Sequence, residues 1–127
     1  MFKVESEVGR LRQVILHRPD LELKRLTPDN AADLLFDDVL WVSRAQQEHD
    51  AFADVLRSRG VVVHYYSDLL AQTLDVTPAR DYILDGVFDS RWHGPLAADQ
   101  LRAAVDGLDS PALAGYLVGG ITKHEIS

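Results

Sequence analysis

The feature that most constrains this chain is a change of apolar pattern near residue 70. Before that point β-branched runs alternate with a long amphipathic stretch, whereas beyond it every apolar spacing is helical. In residues 39–59, Val42, Ala45, His49, Phe52 and Leu56 recur at helical spacing, and Gly60 is placed to stop the helix. Val61-Val62-Val63-His64-Tyr65-Tyr66 follows, a β-branched and aromatic run bounded by Gly60 and Ser67-Asp68, and so a strand. Upstream, Phe2-Lys3-Val4-Glu5-Ser6 and Leu11-Arg12-Gln13-Val14-Ile15-Leu16-His17 predict a hairpin about Glu7-Val8-Gly9-Arg10, with Gly9 free to take positive φ. Pro19 ends the second of these strands. Thr27-Pro28-Asp29-Asn30 carries a cap, an N1 proline and an early acid, which predicts a short helix to about residue 35. The predicted order is β, β, α, β.

Past residue 70, Thr77-Pro78 and Ser110-Pro111 each place a capping residue before a proline. Leu101, Val105 and Leu108, then Leu113, Tyr116 and Leu117, supply narrow apolar faces able to pack as a small bundle, closed by Gly119-Gly120. The expected division is therefore residues 1–70, α/β, and residues 71–127, all helical.

With 127 residues, 46% of them hydrophobic, the chain can bury one modest core. A net charge of -7, without a basic stripe, argues against a nucleic-acid partner. Apolar runs fall far short of the roughly 20 residues that span a bilayer, and Met1-Phe2-Lys3-Val4-Glu5 does not begin a signal peptide, so no membrane is expected and the cytoplasm is the simplest location. The sequence contains no cysteine, which excludes a disulfide, a thiolate metal site and a cysteine nucleophile within it.

Ser6-Glu7-Val8-Gly9-Arg10-Leu11 leading into Val14-Ile15-Leu16-His17-Arg18-Pro19 resembles the opening of arginine deiminases. Leu26-Thr27-Pro28-Asp29-Asn30, Leu34-Leu35-Phe36-Asp37-Asp38, Ala45-Gln46-Gln47-Glu48-His49-Asp50-Ala51-Phe52, Asp68-Leu69-Leu70 and Gly119-Gly120-Ile121-Thr122-Lys123 are similar to later blocks of that family, in the same order. Residues 75–115 agree in composition only. The resemblance implies a five-bladed, pentein-like α/β propeller of ββαβ modules, with this chain as its first module followed by a small inserted helical domain. It also implies the chemistry of the whole enzyme. A cysteine thiolate attacks the guanidinium carbon of L-arginine, ammonia leaves, and water releases L-citrulline, while carboxylates hold the cation and a histidine moves protons. Those groups belong to later modules, so no catalytic residue is expected in this chain, which should be inactive by itself. No cofactor is implied, and a homo-oligomeric parent is expected.

Leu35, Phe36, Asp37 and Asp38 form the candidate substrate loop, because the corresponding family loop covers bound arginine. A second reading stays open, in which the paired aspartates cap or compensate the following helix. His49 lies on the apolar stripe while Glu48 and Asp50 point elsewhere, so a packed core histidine is favoured over a ligand. His17, His64, His93 and His124 have no second ligand at characteristic spacing, and no metal is assigned. Arg10, Arg12 and Arg18 are read as solvated surface arginines, and neither Ser43 nor Ser127 sits in a nucleophile elbow. The alternative function is a non-catalytic arginine-binding or assembly module. An amidinotransferase or dimethylarginine hydrolase of the same class is disfavoured by the inserted helices. A blade taken from a closed ring would bare strand edges and self-associate.

Overall fold

The computed structural model describes residues 4, 6–34 and 36–125. Two short strands form its sheet, β1 (Gln13–Leu16) and β2 (Val62–Tyr65). They pair in parallel, Gln13 beside Val62 and Leu16 beside Tyr65. Parallel strands need a crossover, supplied here by a single-turn helix, α1 (Leu21–Lys24), and the long helix α2 (Val42–Ser58). The end of α2 is set by Gly60 at φ 78°: its N–H donates to the Arg57 carbonyl at 2.9 Å and that of Val61 to the Leu56 carbonyl at 3.1 Å, the paired bonds of a Schellman turn.

The predicted hairpin is not formed. Val4 and Ser6 lie in no strand, residues 7–9 are bends, and Gly9 is not among the positive-φ glycines. Phe2, Lys3 and Glu5 lie outside the described residues. The physical reason is burial. Val4 and Val8 are 92% and 95% exposed and offer no apolar face, whereas pairing with β2 brings Val14 and Leu16 beside Val63 and Tyr65, all partly buried. The order among the described residues is therefore β, α, α, β.

Residues 28–34 form successive turns instead of the expected helix. The start is made as for a helix, with the Asn30 side-chain oxygen accepting from the Thr27 N–H at 2.8 Å and the Ala31 N–H donating to the Thr27 carbonyl at 3.0 Å, but the bonding then turns irregular: the Leu34 N–H is shared between the Asn30 and Ala31 carbonyls at 3.1 and 3.2 Å, and the Phe36 N–H reaches back five residues to the Ala31 carbonyl at 2.8 Å. Helix α2 begins three residues later than expected. Its buried stripe runs through Ala53, while Phe52 is 53% exposed.

Beyond β2 the chain is helical: α3 (Tyr66–Leu74), α4 (Thr77–Val87), α5 (Ser90–His93), α6 (Pro95–Asp106) and α7 (Ser110–Gly119), followed by a 3-10 turn at Lys123–Glu125. Both prolines occupy the expected first turns, but each cap sits one residue earlier. Val76 precedes α4 without a side-chain bond, and Asp109 accepts from the Ala112 N–H at 2.9 Å to cap α7. Leu74, Leu84, Val105 and Leu113, each at most 2% exposed, join Ala114 in one core, with Leu108 and Leu117 packed against it. The apolar faces at 105–117 thus meet as a bundle, tied to the sheet through α3. Among the described residues no helix is long and apolar enough to cross a membrane.

Candidate functional site

Parallel pairing sends the carboxyl ends of both strands the same way, which is where open α/β sheets place ligands. After β1 the chain continues as His17-Arg18-Pro19-Asp20, and after β2 it enters α3 directly. Between these segments lies a pocket of about 200 Å³, walled by His17, Arg18 and Asp20, by Leu21 and Glu22 of α1, by Ser67 of α3, and by the Ala114, Gly115 and Val118 face of α7.

The polar wall is tied together. Arg18 donates from Nε and Nη2 to the two carboxylate oxygens of Asp50 on α2, at 2.8 and 2.9 Å. This two-pronged geometry is the strong form of a charged hydrogen bond. It raises the Arg18 guanidinium above its ordinary pKa against the effect of burial, and holds the Asp50 carboxyl below the usual range. Gln46, also on α2, donates to the Pro19 carbonyl at 2.9 Å. His17 Nε2 lies 2.8 Å from Glu22 Oε1, which also accepts from the Asp20 N–H at 3.0 Å. Burial pushes Glu22 upward, but the N–H groups of Asp20 and Glu22, with His17, leave it below its usual pKa. Lys24 pairs with Asp20. Each of these charges already has a partner, so the polar wall is held in place by its own ion pairs. Among the described residues no cluster of three or more His, Cys, Asp or Glu could hold a metal.

Further along the same face of α2, the Arg57 guanidinium lies 5.4 Å from the Tyr65 ring centre and donates to its hydroxyl at 3.2 Å. His49 packs 6.0 Å from the same ring with only 15% of its side chain exposed, and its Nδ1 is buried without a hydrogen bond. It is a packed histidine. His64 contacts the Gln13 side chain at 3.3 Å and His93 the Val87 carbonyl at 3.1 Å.

Of the substrate-loop residues, Leu35 lies outside the described residues. The Phe36 N–H donates to the Ala31 carbonyl at 2.8 Å, leaving the ring 38% exposed. Asp37 is exposed, and among the described residues Asp38 accepts from the adjacent Val39 N–H, at 2.7 Å. Helix α2 starts after Trp41 with no side-chain cap and no acid in its first turn, so the aspartates do not cap it. None of Phe36, Asp37 and Asp38 lines the strand-end pocket. Arg18, read from the sequence as a solvated arginine, is instead the anchor of that pocket; Arg10 and Arg12 are exposed. The one available signal was its place immediately after a strand.

Comparison with known proteins gives a consistent result. A family model described as arginine deiminase matches residues 32–126, which includes the stretch where the sequence resemblance was compositional. The arginine deiminases of Rhodococcus opacus (strain B4) and Rhodococcus jostii (strain RHA1) are each 52% identical to this chain over 122 residues, 95% of its length. That of Mycobacterium marinum is 50% identical over 121 residues. The chain spans about 30% of the length of these curated relatives.

Proposed function

Because the chain belongs to the arginine deiminase family, we propose that it is the N-terminal portion of an enzyme that hydrolyses L-arginine to L-citrulline and ammonia, in the cytoplasm and as a homo-oligomer. The observation that carries this is 52% identity over 95% of the chain to proteins of that name. The absence of cysteine fits a division of labour in which the thiolate nucleophile and its histidine lie in the remaining 70% of the protein, and this chain alone turns nothing over. Residues 1–70 are the first module of a five-bladed propeller, and residues 71–127 the inserted helical domain. The β1, α2, β2 crossover is compatible with the first of these and the α4 to α7 bundle with the second. The loop of Leu35, Phe36, Asp37 and Asp38 covers substrate; its exposed aspartates, spared from helix capping, support that role.

The test is citrulline production from L-arginine by this chain alone and by the chain joined in frame to the unmatched part of the R. opacus relative. Turnover only by the joined protein is the expected result. Turnover by neither removes the reading, and arginine binding by the inactive chain alone would favour a binding module.

A further inference from the structure

We propose that Arg25 and Glu125 are positioning residues for Phe36, Asp37 and Asp38, the ion pair between them fastening the base of that loop to the turn that follows the helical bundle. The role given to the loop rests on the family reading above; the clasp itself does not. Arg25 stands at a junction. It is the C-terminal cap of α1, a single turn that buries none of its residues, and among the described residues of 26–41 none lies in a helix or strand. Within 26–38 the buried residues described are Leu26 and Ala31, so apolar packing holds this stretch at two points. Hydrogen bonds carry it onward: the Asn30 amide donates to the Arg25 carbonyl at 3.0 Å, the Ala31 N–H to the Thr27 carbonyl at 3.0 Å, and the Phe36 N–H to the Ala31 carbonyl at 2.8 Å. A displacement of Arg25 is thus passed through Asn30 and Ala31 to Phe36.

The Arg25 side chain reaches Glu125, 100 residues on, with Nη2 donating to both carboxylate oxygens at 3.0 and 2.9 Å. Glu125 is held in turn. Its Oε2 accepts from the Thr122 N–H at 2.7 Å and from the Thr122 hydroxyl at 2.8 Å, and these bonds, with Arg25, keep its carboxyl below the usual range against the effect of burial. Arg25 depends on that carboxylate: its side chain is 19% exposed, its Nε is buried with no hydrogen bond, and among the described residues the guanidinium has no other acidic partner. Because α7 also packs against α1, the two ends of the clasp are joined through the fold as well. An ion pair this near to solvent adds little to stability. Charged hydrogen bonds of fixed direction instead define where the base of the loop stands.

The first measurement is amide hydrogen exchange of this chain, unsubstituted and as Glu125→Gln, which keeps the size of the side chain and removes its charge. Exchange at Ala31, Leu34 and Phe36 is expected to rise roughly tenfold while that at Ala53 in α2 and Leu113 in α7 stays unchanged. Arg25→Gln should do the same, and the double substitution no more than either alone. The second measurement is the kinetics of the chain joined in frame to the unmatched part of the R. opacus relative. Glu125→Gln and Phe36→Ala should each raise KM for L-arginine about fivefold, together no further, with kcat within about twofold. Asp85→Asn, which breaks an exposed ion pair with Arg102 in the bundle, should leave KM unchanged. Exchange unaltered at Ala31, Leu34 and Phe36, or raised equally at Ala53 and Leu113, overturns the clasp. Selective exchange with KM indifferent to both Phe36→Ala and Glu125→Gln keeps the clasp and removes the role of the loop in covering arginine. A KM raised by Phe36→Ala but not by Glu125→Gln, or raised additively by the two, keeps that role and overturns the positioning. If the joined protein turns nothing over, the deiminase reading falls and exchange alone decides the clasp.

Discussion

Two glycines four residues apart on α7 should respond to the same substitution with opposite signs. Gly115 is inside the helix, its φ is not positive, and a Cβ built there meets nothing within 4 Å. Gly115→Ala should therefore stabilise by about 0.5–1 kcal/mol, the ordinary helix preference of alanine over glycine. Gly119 ends the helix against α1, and its Cβ would lie 2.6, 2.7 and 2.8 Å from Cγ, Cβ and Cδ2 of Leu21. Carbon contacts are favourable at about 3.5–4.0 Å, so the overlap is about 1 Å at three atoms. Turning the Leu21 side chain cannot relieve the contact with its Cβ, so α1 or α7 must move as a backbone. That overpacking costs about 1–3 kcal/mol, partly offset by a propensity gain reduced at a helix end. Gly119→Ala should thus destabilise by about 1–2 kcal/mol, some 2 kcal/mol below Gly115→Ala.

Urea unfolding followed by circular dichroism resolves a gap of that size through the midpoint at constant slope. A double-mutant cycle with Leu21→Ala supplies the internal control. Truncation removes Cγ and Cδ2 but leaves Cβ, so rescue should be partial, with a coupling of about 0.5–1 kcal/mol. Equal effects of the two alanines, or no coupling to Leu21, would refute the close approach of α1 to α7. It would also remove the pocket, because Leu21 is one wall and Ala114, Gly115 and Val118 another.

Leu113 is fully buried among Leu74, Leu84 and Val105, and Leu113→Ala should cost about 2–5 kcal/mol in urea unfolding, a large share of a small domain's margin. Asp109→Ala should cost about 1 kcal/mol by removing the cap of α7, whereas Thr77→Ala should be neutral or slightly stabilising because α4 begins without a side-chain cap. The Arg18–Asp50 pair gives a signed pH dependence. Asp50 titrates lower folded than unfolded, so its stabilisation is fully present above the unfolded carboxylate pKa and disappears as pH falls through the folded one. Asp50→Asn should therefore differ most from the unsubstituted chain near neutral pH and converge with it in acid, well below about pH 4. A difference that persists unchanged into acid would show that Asp50 contributes through packing instead of charge.

Helix α2, strand β2 and the helical run beyond it are legible in the sequence because their causes are local: apolar spacing, a glycine with positive φ after Arg59, a proline in the first turn. The failures at 27–35 and at the caps are also local, but they turn on bonding that composition does not express: after Thr27 the backbone N–H groups reach back three, four and five residues, and Asp109 holds the α7 cap expected of Ser110. The pocket was beyond reach for a different reason. Arg18 finds Asp50 across 32 residues, and that meeting depends on β1 choosing β2 as a parallel partner. The α/β pattern admits a hairpin or a crossover equally well. Only the crossover carries α2 across one side of the sheet, brings Asp50 and Gln46 to the segment after β1, and leaves Ile15 and Val62 bare on the other. The strand-end pocket and the uncovered face thus follow from a single pairing choice, and a substitution that broke the β1–β2 register would be expected to remove both at once.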